Sequence, residues 1–389
     1  MRFPGFEGTW GNYRLGEIAT FSKGKGISKS DIDENGITEC IRYGELYTYY
    51  GETIDKIKSK TNVDVDTLTL SEANDVIIPA SGETMIDIAT ASCVLKSGVA
   101  LGGDLNIIKT NNDGVFLSYY LNSRKKLEIA NLAQGISVVH LYSSQLSSLS
   151  LKLPTLEEQK RISTFLASLD KRIQTQNKII QRLETLIKGL CQNLFKEGND
   201  PSWSKFYLKS LLIERREFNI ANYPVHSVSV SRGVINQIEY LGRSFAAKDT
   251  SNYNVVYNGD IIYTKSPTGE FPYGVIKQSF VNEKVAVSPL YGVYRPKNIY
   301  LANILHYYFS NPINTNNYLH SLVQKGAKNT INITNQDFLN KEIYLPSDEN
   351  QIKTISLLLN SITKKIRAEQ SLHDRLLQQK QYLLQNMFI

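Results

Sequence analysis

The sequence predicts an α+β fold in which two α/β heads are separated by two long antiparallel helices that form a coiled coil, with the halves related by an internal pseudo-twofold repeat. Three observations predict it: self-similarity at an offset near 193 residues, a heptad pattern closing each half, and short apolar segments with frequent turns before each pattern. The predicted boundaries are residues 1–153 (first head), 154–198 (first long helix), 199–345 (second head) and 346–389 (second long helix).

The repeat is strongest at the end of each half and weak within the heads. The matching segments are Trp10–Leu15 with Trp203–Leu208, Leu149–Pro154 with Lys341–Pro346, Ser168–Ile173 with Ser361–Ile366, and Leu190–Phe195 with Leu383–Phe388. The two ends therefore share a structural task, whereas the two heads have diverged.

The first long helix is predicted by apolar residues that alternate at steps of four and three after Pro154. This spacing has the 3.5-residue period of a coiled-coil seam. The seam residues are Ile162, Leu166, Leu169, Ile173, Gln176, Ile180, Leu183, Ile187, Leu190 and Leu194. A helix of this length needs a partner helix, because one small head cannot cover it.

The second long helix carries a similar but less regular seam, interrupted by Glu369, His373 and Lys380. Its apolar seam residues are Ile355, Leu359, Ile362, Ile366, Leu372, Leu376, Leu383 and Met387. Since both helices are in one chain, we expect them to pair with each other. Antiparallel pairing is favoured, because a parallel pair would force the second head to travel the full helix length and return.

The heads are predicted to contain short strands and one helical stretch each. The expected strands are Ile37–Tyr43, Val76–Ile78, Val99–Leu101 and Leu105–Lys109 in the first head, and Val225–Val230, Val255–Tyr263 and Val285–Val293 in the second. The expected helices are Phe116–Ala133 and Tyr300–Phe309, with an extension over Tyr318–Gln324.

Composition and motifs argue against several classes of protein. No apolar run approaches the ~20 residues of a membrane span, and the N-terminus lacks a secretory pattern. Three cysteines without a close pair and five histidines without ligand spacing favour neither a disulfide framework nor a metal site. The Gly spacing around Gly24 fits no nucleotide-binding loop, and Asn311–Asn314 is interpreted as a helix stop, so the chain is expected to carry no catalysis and no cofactor.

Net charge is +7, which permits a polyanionic partner without proving one. The first head carries −3, the first long helix +3, the second head +5 and the second long helix +2. A DNA-binding surface on the first head must therefore be local. Solvated loops are an equally good interpretation of any single basic cluster, and a half-buried sheet would also use the tyrosines near Glu45.

The candidate DNA contacts lie in loops that combine lysines, hydroxyls, amides and tyrosines, the groups that contact phosphates and base edges. They are Lys23, Lys25, Lys29, Tyr43, Glu45, Tyr47, Lys58, Ser137 and His140 in the first head, and Ser229, Ser231, Arg232, Lys265, Lys325, Lys328 and Asn329 in the second. Each half places a Gly turn, at Gly135 or Gly326, roughly 20 residues before its long helix. A hairpin and a DNA-facing loop remain equal alternatives for these turns.

These features resemble the specificity subunits of bacterial type I restriction-modification enzymes. The resemblance covers the whole chain and is carried by Trp10, by the element Leu15–Ile18, by Leu153–Pro154 followed by Glu157–Gln159 and Ile162, and by the Gln-Asn-hydrophobic-Phe ends. The second half departs from the pattern at Pro346–Gln351, which replaces Glu-Glu-Gln with a one-residue slip.

The resemblance implies a cytoplasmic bacterial protein that is not an enzyme and has two target-recognition domains for double-stranded DNA. It implies two modification subunits as partners, which carry S-adenosylmethionine and methylate adenine, and restriction subunits in the full complex. Each head would recognise half of a bipartite target, and the helices would fix the spacer and dock the modification subunits. Two alternatives remain open: a non-DNA coiled-coil scaffold, and a stand-alone DNA enzyme with cryptic motifs.

Overall fold

The computed structural model describes residues 2–135, 138–196, 201–243, 246–325 and 331–388, with backbone only at 324, 325, 331 and 332. The chain divides into two compact units. The first unit consists of Met1–Lys178 and Ser371–Ile389, and the second of Ile179–Gln370. Each unit thus contains one head and a segment of each long helix.

The first unit is built on two sheets and two short strand pairs. The five-stranded sheet has the order Ala19–Lys23, Leu105–Thr110, Asp75–Pro79, Ser92–Val94, Thr53–Ile54, and the four-stranded sheet the order Ser59–Thr61, Thr38–Ile41, Ala100–Leu101, Thr69–Leu70. The pairs are Gly11–Arg14 with Ser150–Leu153 and Ser81–Gly82 with Val139–His140. The central Asp75–Pro79 strand is buried at every residue, so it forms the middle of the head.

The second unit has one larger sheet and four strand pairs among the described residues. The sheet has the order Leu212–Glu214, Gly292–Pro296, Ile261–Tyr263, Ile276–Gln278. The pairs are Trp203–Tyr207 with Glu342–Pro346, His226–Ser229 with Gly233–Asn236, Asn254–Val256 with Val285–Val287, and Gln324–Lys325 with Ile331–Asn332. The first of these pairs corresponds to Gly11–Arg14 with Ser150–Leu153 in the other unit, so the repeat extends to the strands that close each head.

Helices complete both units. In the first head they are Leu15–Ile18, Tyr43–Thr48, Met85–Ile88, Gly114–Tyr120, Lys126–Leu132 and Ser143–Ser147, with a π-helical segment Leu121–Lys125 and 3₁₀ turns Lys29–Asp31 and Val65–Thr67. In the second head they are Gln237–Leu241, Ile299–Ser310, Pro312–His320 and Asn335–Leu339, with a 3₁₀ turn Leu208–Ser210. The long helices are Leu156–Leu194 and Glu349–Met387, each of 39 residues.

Several element predictions were wrong in detail. The predicted strand Val255–Tyr263 is two strands, because the chain turns at Gly259, whose φ is +90°. The prediction Val285–Val293 also divides in two, at the turn that contains Ser288 and closes on Tyr291. The expected helix at Tyr318–Gln324 lies earlier, at Pro312–His320, because Asn311 caps it and Pro312 occupies its first turn.

A third correction concerns the predicted strand Ile37–Tyr43. The strand stops at Ile41, and Tyr43 begins a helix. The cause is Glu45, which accepts a hydrogen bond from the backbone N–H of Arg42 at 3.1 Å and so starts a helical turn.

In the first unit the two long helices run antiparallel, as predicted. Lys380 Nζ of the second helix lies 2.8 Å from Asp170 Oδ1 of the first and 3.1 Å from Glu52 Oε2 of the head. Tyr119 donates a hydrogen bond from its hydroxyl to the same Asp170. Further along, Phe388 is buried against Phe116 and Tyr120, with ring centroids 5.5 and 5.6 Å apart.

The second unit repeats this arrangement with different chemistry. Tyr307, the counterpart of Tyr119, contacts Thr363 Oγ1 at 2.7 Å and Asn360 Oδ1 at 3.0 Å. Gln370 Nε2 lies 3.4 Å from Glu184 Oε1, which again orders the helices antiparallel. The charged cluster of the first unit is therefore replaced by neutral hydrogen bonds in the second.

The seam residues lie on the covered face of the helices. Ile162, Leu166, Leu169, Ile180, Ile355, Leu359, Ile366 and Leu376 are buried, and Ile173, Leu183, Leu190, Ile362 and Leu383 are half-buried. Among the polar interruptions, Gln176 and Glu369 are buried and His373 and Lys380 are half-buried, and Glu369 pairs with Lys365. No helix among the described residues is both long and apolar enough to cross a membrane.

Candidate nucleic-acid interface

Four of the predicted contacts in the first head line one open cleft. Lys29, Tyr43, Glu45 and Tyr47 border a cavity of about 870 Å³ between the Lys29–Asp31 turn and the Tyr43–Thr48 helix. The Tyr43–Thr48 helix follows directly on the Thr38–Ile41 strand, which places Tyr43, Glu45 and Tyr47 at the cleft. Burial, followed by the neighbouring Tyr43, Glu83 and Asp87, raises the pKa of Tyr47, so its hydroxyl stays protonated and can donate.

Glu45 is not exposed in this cleft. It is 6% exposed, and its carboxylate accepts hydrogen bonds from the Arg42 backbone N–H, from Arg42 Nη2 at 3.3 Å and from the Ser59 hydroxyl. These donors occupy both carboxylate oxygens. Glu45 was predicted from the sequence as a DNA contact, whereas Arg42 was not, although the Arg-x-x-Glu spacing at a helix start was a usable signal.

A second group in the first head consists of Lys23, His140 and Tyr142. Lys23 Nζ lies 5.9 Å from the centre of the Tyr142 ring, which stacks on the His140 ring at 6.4 Å. The Val139–His140 strand is held in place by its pairing with Ser81–Gly82. An aromatic pair beside a lysine can offer both stacking and charge to a nucleic acid.

Lys25 and Lys58 are not among the residues that line the cleft. Lys25 follows Gly24, where an added Cβ would lie 2.0 Å from the carbonyl oxygen of Gly102, so this turn admits no side chain. Its backbone N–H donates to Leu101 at 2.9 Å. Lys58 Nζ lies 4.4 Å above the ring of Tyr49, and neither residue borders the cleft.

In the second head, Ser229, Ser231 and Arg232 form one hairpin turn. The two serine hydroxyls lie 3.4 Å apart, and Ser229 Oγ is also 3.4 Å from the hydroxyl of Tyr240. The guanidinium of Arg232 lies 5.9 Å from the Tyr240 ring centre. The hairpin thus presents a cation, hydroxyls and an aromatic ring together.

Lys265 occupies a different part of the second head. Its φ of +58° is in the left-handed region, and Gly274 packs so closely that a Cβ there would lie 2.9 Å from the Lys265 nitrogen. Burial lowers the pKa of Lys265, and Glu214 opposes this effect. Glu214 also accepts hydrogen bonds from Asn335 Nδ2 at 2.6 Å and Arg216 Nη2 at 2.9 Å. Sequence reasoning missed Glu214 and its two partners, because these residues lie 49 to 70 positions from Lys265.

The remaining predicted contacts are Ser137, Lys328 and Asn329, which lie outside the described residues, and Lys325, whose side chain also lies outside them. No group of three or more His, Cys, Asp or Glu in the described part of the chain could hold a metal ion.

The first half of the chain matches a known family, and the whole chain matches solved structures. Residues 7–185 match the family model described as the type I restriction modification DNA specificity domain. Over 98% of this chain, the fold matches the crystal structure of the S subunit of a type I restriction-modification system from M. genitalium, with a TM-score of 0.65, 13% identity and 96% of that chain covered. Residues 7–185, nearly half of the chain, are thus similar to the type I specificity domain, and the chain shares the fold of that S subunit.

Two curated relatives come from Methanocaldococcus jannaschii. The MjaVIII specificity subunit of a type I restriction enzyme is 26% identical over 192 residues, which is 49% of this chain and 42% of the relative. The putative MjaX specificity subunit is 31% identical over 102 residues, 25% of this chain and 24% of the relative. The aligned part of this chain thus spans less than half the length of the curated relatives.

One further structure, described as concerning complex assembly and conformational transition of the type I restriction-modification system, has a TM-score of 0.50 and 16% identity, covering 98% of this chain and 97% of that one. At these identities the structural matches establish the specificity-subunit fold alone. The two-unit architecture and the paired long helices agree with that fold.

Proposed function

We propose that this chain is the sequence-specific DNA-recognition subunit of a type I restriction-modification complex. Each head recognises one half of a bipartite target, and the helix pair sets the unread spacer between the halves. The observation that carries this proposal is the repeated unit, in which two divergent heads dock on equivalent segments of the same two helices. A protein with two different recognition surfaces on one pair of helices is suited to two different half-sites.

The proposed boundaries of these functions follow the predicted domains: residues 1–153 and 199–345 as target-recognition domains, and 154–198 and 346–389 as the support. The proposed DNA-facing parts are the cleft, the Lys23–His140–Tyr142 group, the Ser229–Arg232 hairpin and Lys265. The other proposed contacts are Lys25, Lys58, Ser137, Lys325, Lys328 and Asn329. The long helices also dock two modification subunits.

The chemistry of methylation and cleavage is assigned to the partners. Modification subunits bind S-adenosylmethionine and methylate adenine, restriction subunits join them, and this chain supplies no catalytic group. Such a complex acts in the bacterial cytoplasm. The relatives that the chain matches are specificity subunits, so a non-DNA scaffold has no support among them.

Mapping N6-methyladenine in the host genome tests the proposal. We expect one bipartite methylated motif that disappears when the gene is deleted and returns with the full-length chain. A methylome unchanged by the deletion would contradict it. A stand-alone enzyme would instead bind S-adenosylmethionine in the absence of modification subunits, which equilibrium dialysis of the purified chain measures.

A further inference from the structure

The Arg42 guanidinium is fixed in place at the edge of the first-head cleft. Its Nη2 contacts Glu45 Oε1 at 3.3 Å, and Glu45 is in turn held by Ser59. The Arg42 side chain keeps 27% of its exposure and borders the cavity of about 870 Å³. The Arg42 guanidinium is thus held by a buried carboxylate on one side and faces the cleft on the other.

Most hydrogen-bonding capacity of this guanidinium is unused. Arginine has five N–H donors, and among the described residues Glu45 alone accepts from its side chain. The Nε–H is buried and has no partner in that part of the chain. A buried N–H donor without a partner is costly and rare in native proteins, and the remaining donors of this half-buried guanidinium face the cleft.

We infer that Arg42 is a specificity-determining residue of the first head and recognises a guanine in the major groove of the target, with Glu45 and Ser59 as positioning residues. The inference rests on the proposed DNA-recognition function. A guanidinium held in one orientation can donate to guanine O6 and N7 together, the commonest specific contact between proteins and DNA. Glu45 itself has no free oxygen for a base.

The charge of the cleft favours base edges over phosphates. Its lining contains two cations, Lys29 and Arg42, and four carboxylates, Asp31, Glu45, Glu83 and Asp104. Phosphates would be repelled by this excess of negative charge, whereas the three carboxylates other than Glu45 can accept from the exocyclic amines of cytosine and adenine. Phosphate contacts of the first head are therefore expected outside the cleft.

The same head contains a matched control. Arg14 also precedes a short helix and donates its backbone N–H to a glutamate three residues later, Glu17, at 2.8 Å. The side chains of Arg14 and Glu17 are exposed, and Arg14 borders no part of the cleft. Arg14→Ala thus removes an arginine from an equivalent local position without touching the proposed contact.

The experiment uses the full chain assembled with its modification subunits and a plasmid library in which both half-sites are randomised. Methylated sequences are collected for the wild type, Arg42→Ala, Arg42→Lys, Glu45→Gln and Arg14→Ala. A thermal melt accompanies each variant. Arg42→Lys is the decisive variant, because lysine keeps a cation beside Glu45 but loses the planar pair of donors.

We expect Arg42→Ala and Arg42→Lys to lose preference for guanine at one position of one half-site, by roughly 5- to 150-fold. Glu45→Gln should relax the same position less, and Arg14→Ala should leave both half-sites unchanged. An unchanged motif with Arg42→Lys, or an equal loss at both half-sites, would overturn the inference. If the wild type methylates no bipartite motif, the proposed function itself is wrong, which is a separable result.

Discussion

Lys380 Nζ lies 2.8 Å from Asp170 Oδ1, and this ion pair joins the second long helix to the first inside the first unit. Glu52 and the hydroxyl of Tyr119 complete the cluster from the head. At the corresponding place in the second unit, Ile187 stands where Lys380 would be and Thr363 where Asp170 would be, at the repeat offset of 193. The ion pair therefore requires a first long helix paired with a second one. If two first helices paired antiparallel, Ile187 would lie opposite Asp170 in place of Lys380.

We predict that Lys380→Met lowers the free energy of unfolding of the first unit by about 2 to 4 kcal/mol, because it leaves two partly buried carboxylates without their cation. Urea titration followed by hydrogen exchange in the first head measures the loss. Lys364→Met, at an exposed position of the same helix, serves as the control and should change little. Adding Asp170→Asn to Lys380→Met should recover part of the loss. If it recovers nothing, the two residues are not energetically coupled.

The paired phenylalanines give a second prediction. Phe388 packs on Phe116 and Tyr120, and Phe195 holds the equivalent place against Trp203 and Tyr308 at 6.1 and 5.5 Å. Truncation of either to alanine should cost about 3 to 5 kcal/mol in its own unit. Hydrogen exchange should show Phe388→Ala deprotecting the first head and Phe195→Ala the second. Equal deprotection of both heads by either variant would contradict the division into two units.

A pH dependence is expected from His306. Burial, followed by the nearby Lys277 and Arg367, lowers the pKa of His306, whose Nδ1 accepts from the backbone N–H of Gln278 at 3.3 Å. The histidine is then neutral when folded but binds a proton when unfolded below about pH 6.5. Its stabilising contribution is therefore present above pH 6.5 and is lost as the pH falls toward the folded pKa, by up to about 1.4 kcal/mol per pH unit.

The measurement is the urea midpoint of the second unit between pH 7 and 5, a range above the titration of ordinary carboxylates. His306→Asn, which keeps an acceptor near the Nδ1 position, should make the profile less steep in this range, and burial of His226, which also lowers its pKa, accounts for part of the remaining slope. His320→Asn, at an exposed position, provides the control and should leave it unchanged. A profile that is equally steep with and without His306 would assign the dependence to another group.

The proposed spacer function predicts the effect of lengthening the helices. One heptad inserted in each long helix preserves the seam and adds roughly 10 Å of helix, an upper limit near three base pairs. Three base pairs also rotate the second half-site by roughly 100°. We expect weaker methylation of the native site, a longer preferred spacer and both half-site sequences unchanged. Methylome sequencing detects each effect, and an unaltered spacer would mean that the helices do not set it.

The long helices were predictable from sequence because their seam repeats locally, every three or four residues. They were predicted at residues 154–198 and 346–389, and they occur at Leu156–Leu194 and Glu349–Met387, so their starts and ends differ by two to four residues. The lysines that interrupt or flank a seam were less informative. Lys380 looked like a defect in the pattern, and only the fold shows that Asp170, 210 positions away, lies beside it.

The candidate contacts in the heads were harder to predict, since their neighbours come from distant segments. Tyr43 and Tyr47 were placed near Glu45 from sequence alone, and they do share a cleft. Arg42 and Ser59 both donate hydrogen bonds to Glu45. The bond from Ser59 depends on the pairing of two strands, at Cys40 with Ser59, which no local sequence pattern reveals. Likewise the Glu214–Lys265 proximity arises from strands that are separated in the chain.

The burial of Phe388 against Phe116 has a consequence for biosynthesis. The ribosome delivers Phe388 about 270 residues after Phe116, which at about 5 to 20 residues per second is a delay of roughly 15 to 50 s. During that interval the nascent first unit exposes the apolar surface that Phe388 and the last turn of the second long helix cover in the folded chain. An interrupted translation product would therefore carry this surface uncovered, where chaperones and proteases could distinguish it from the finished subunit.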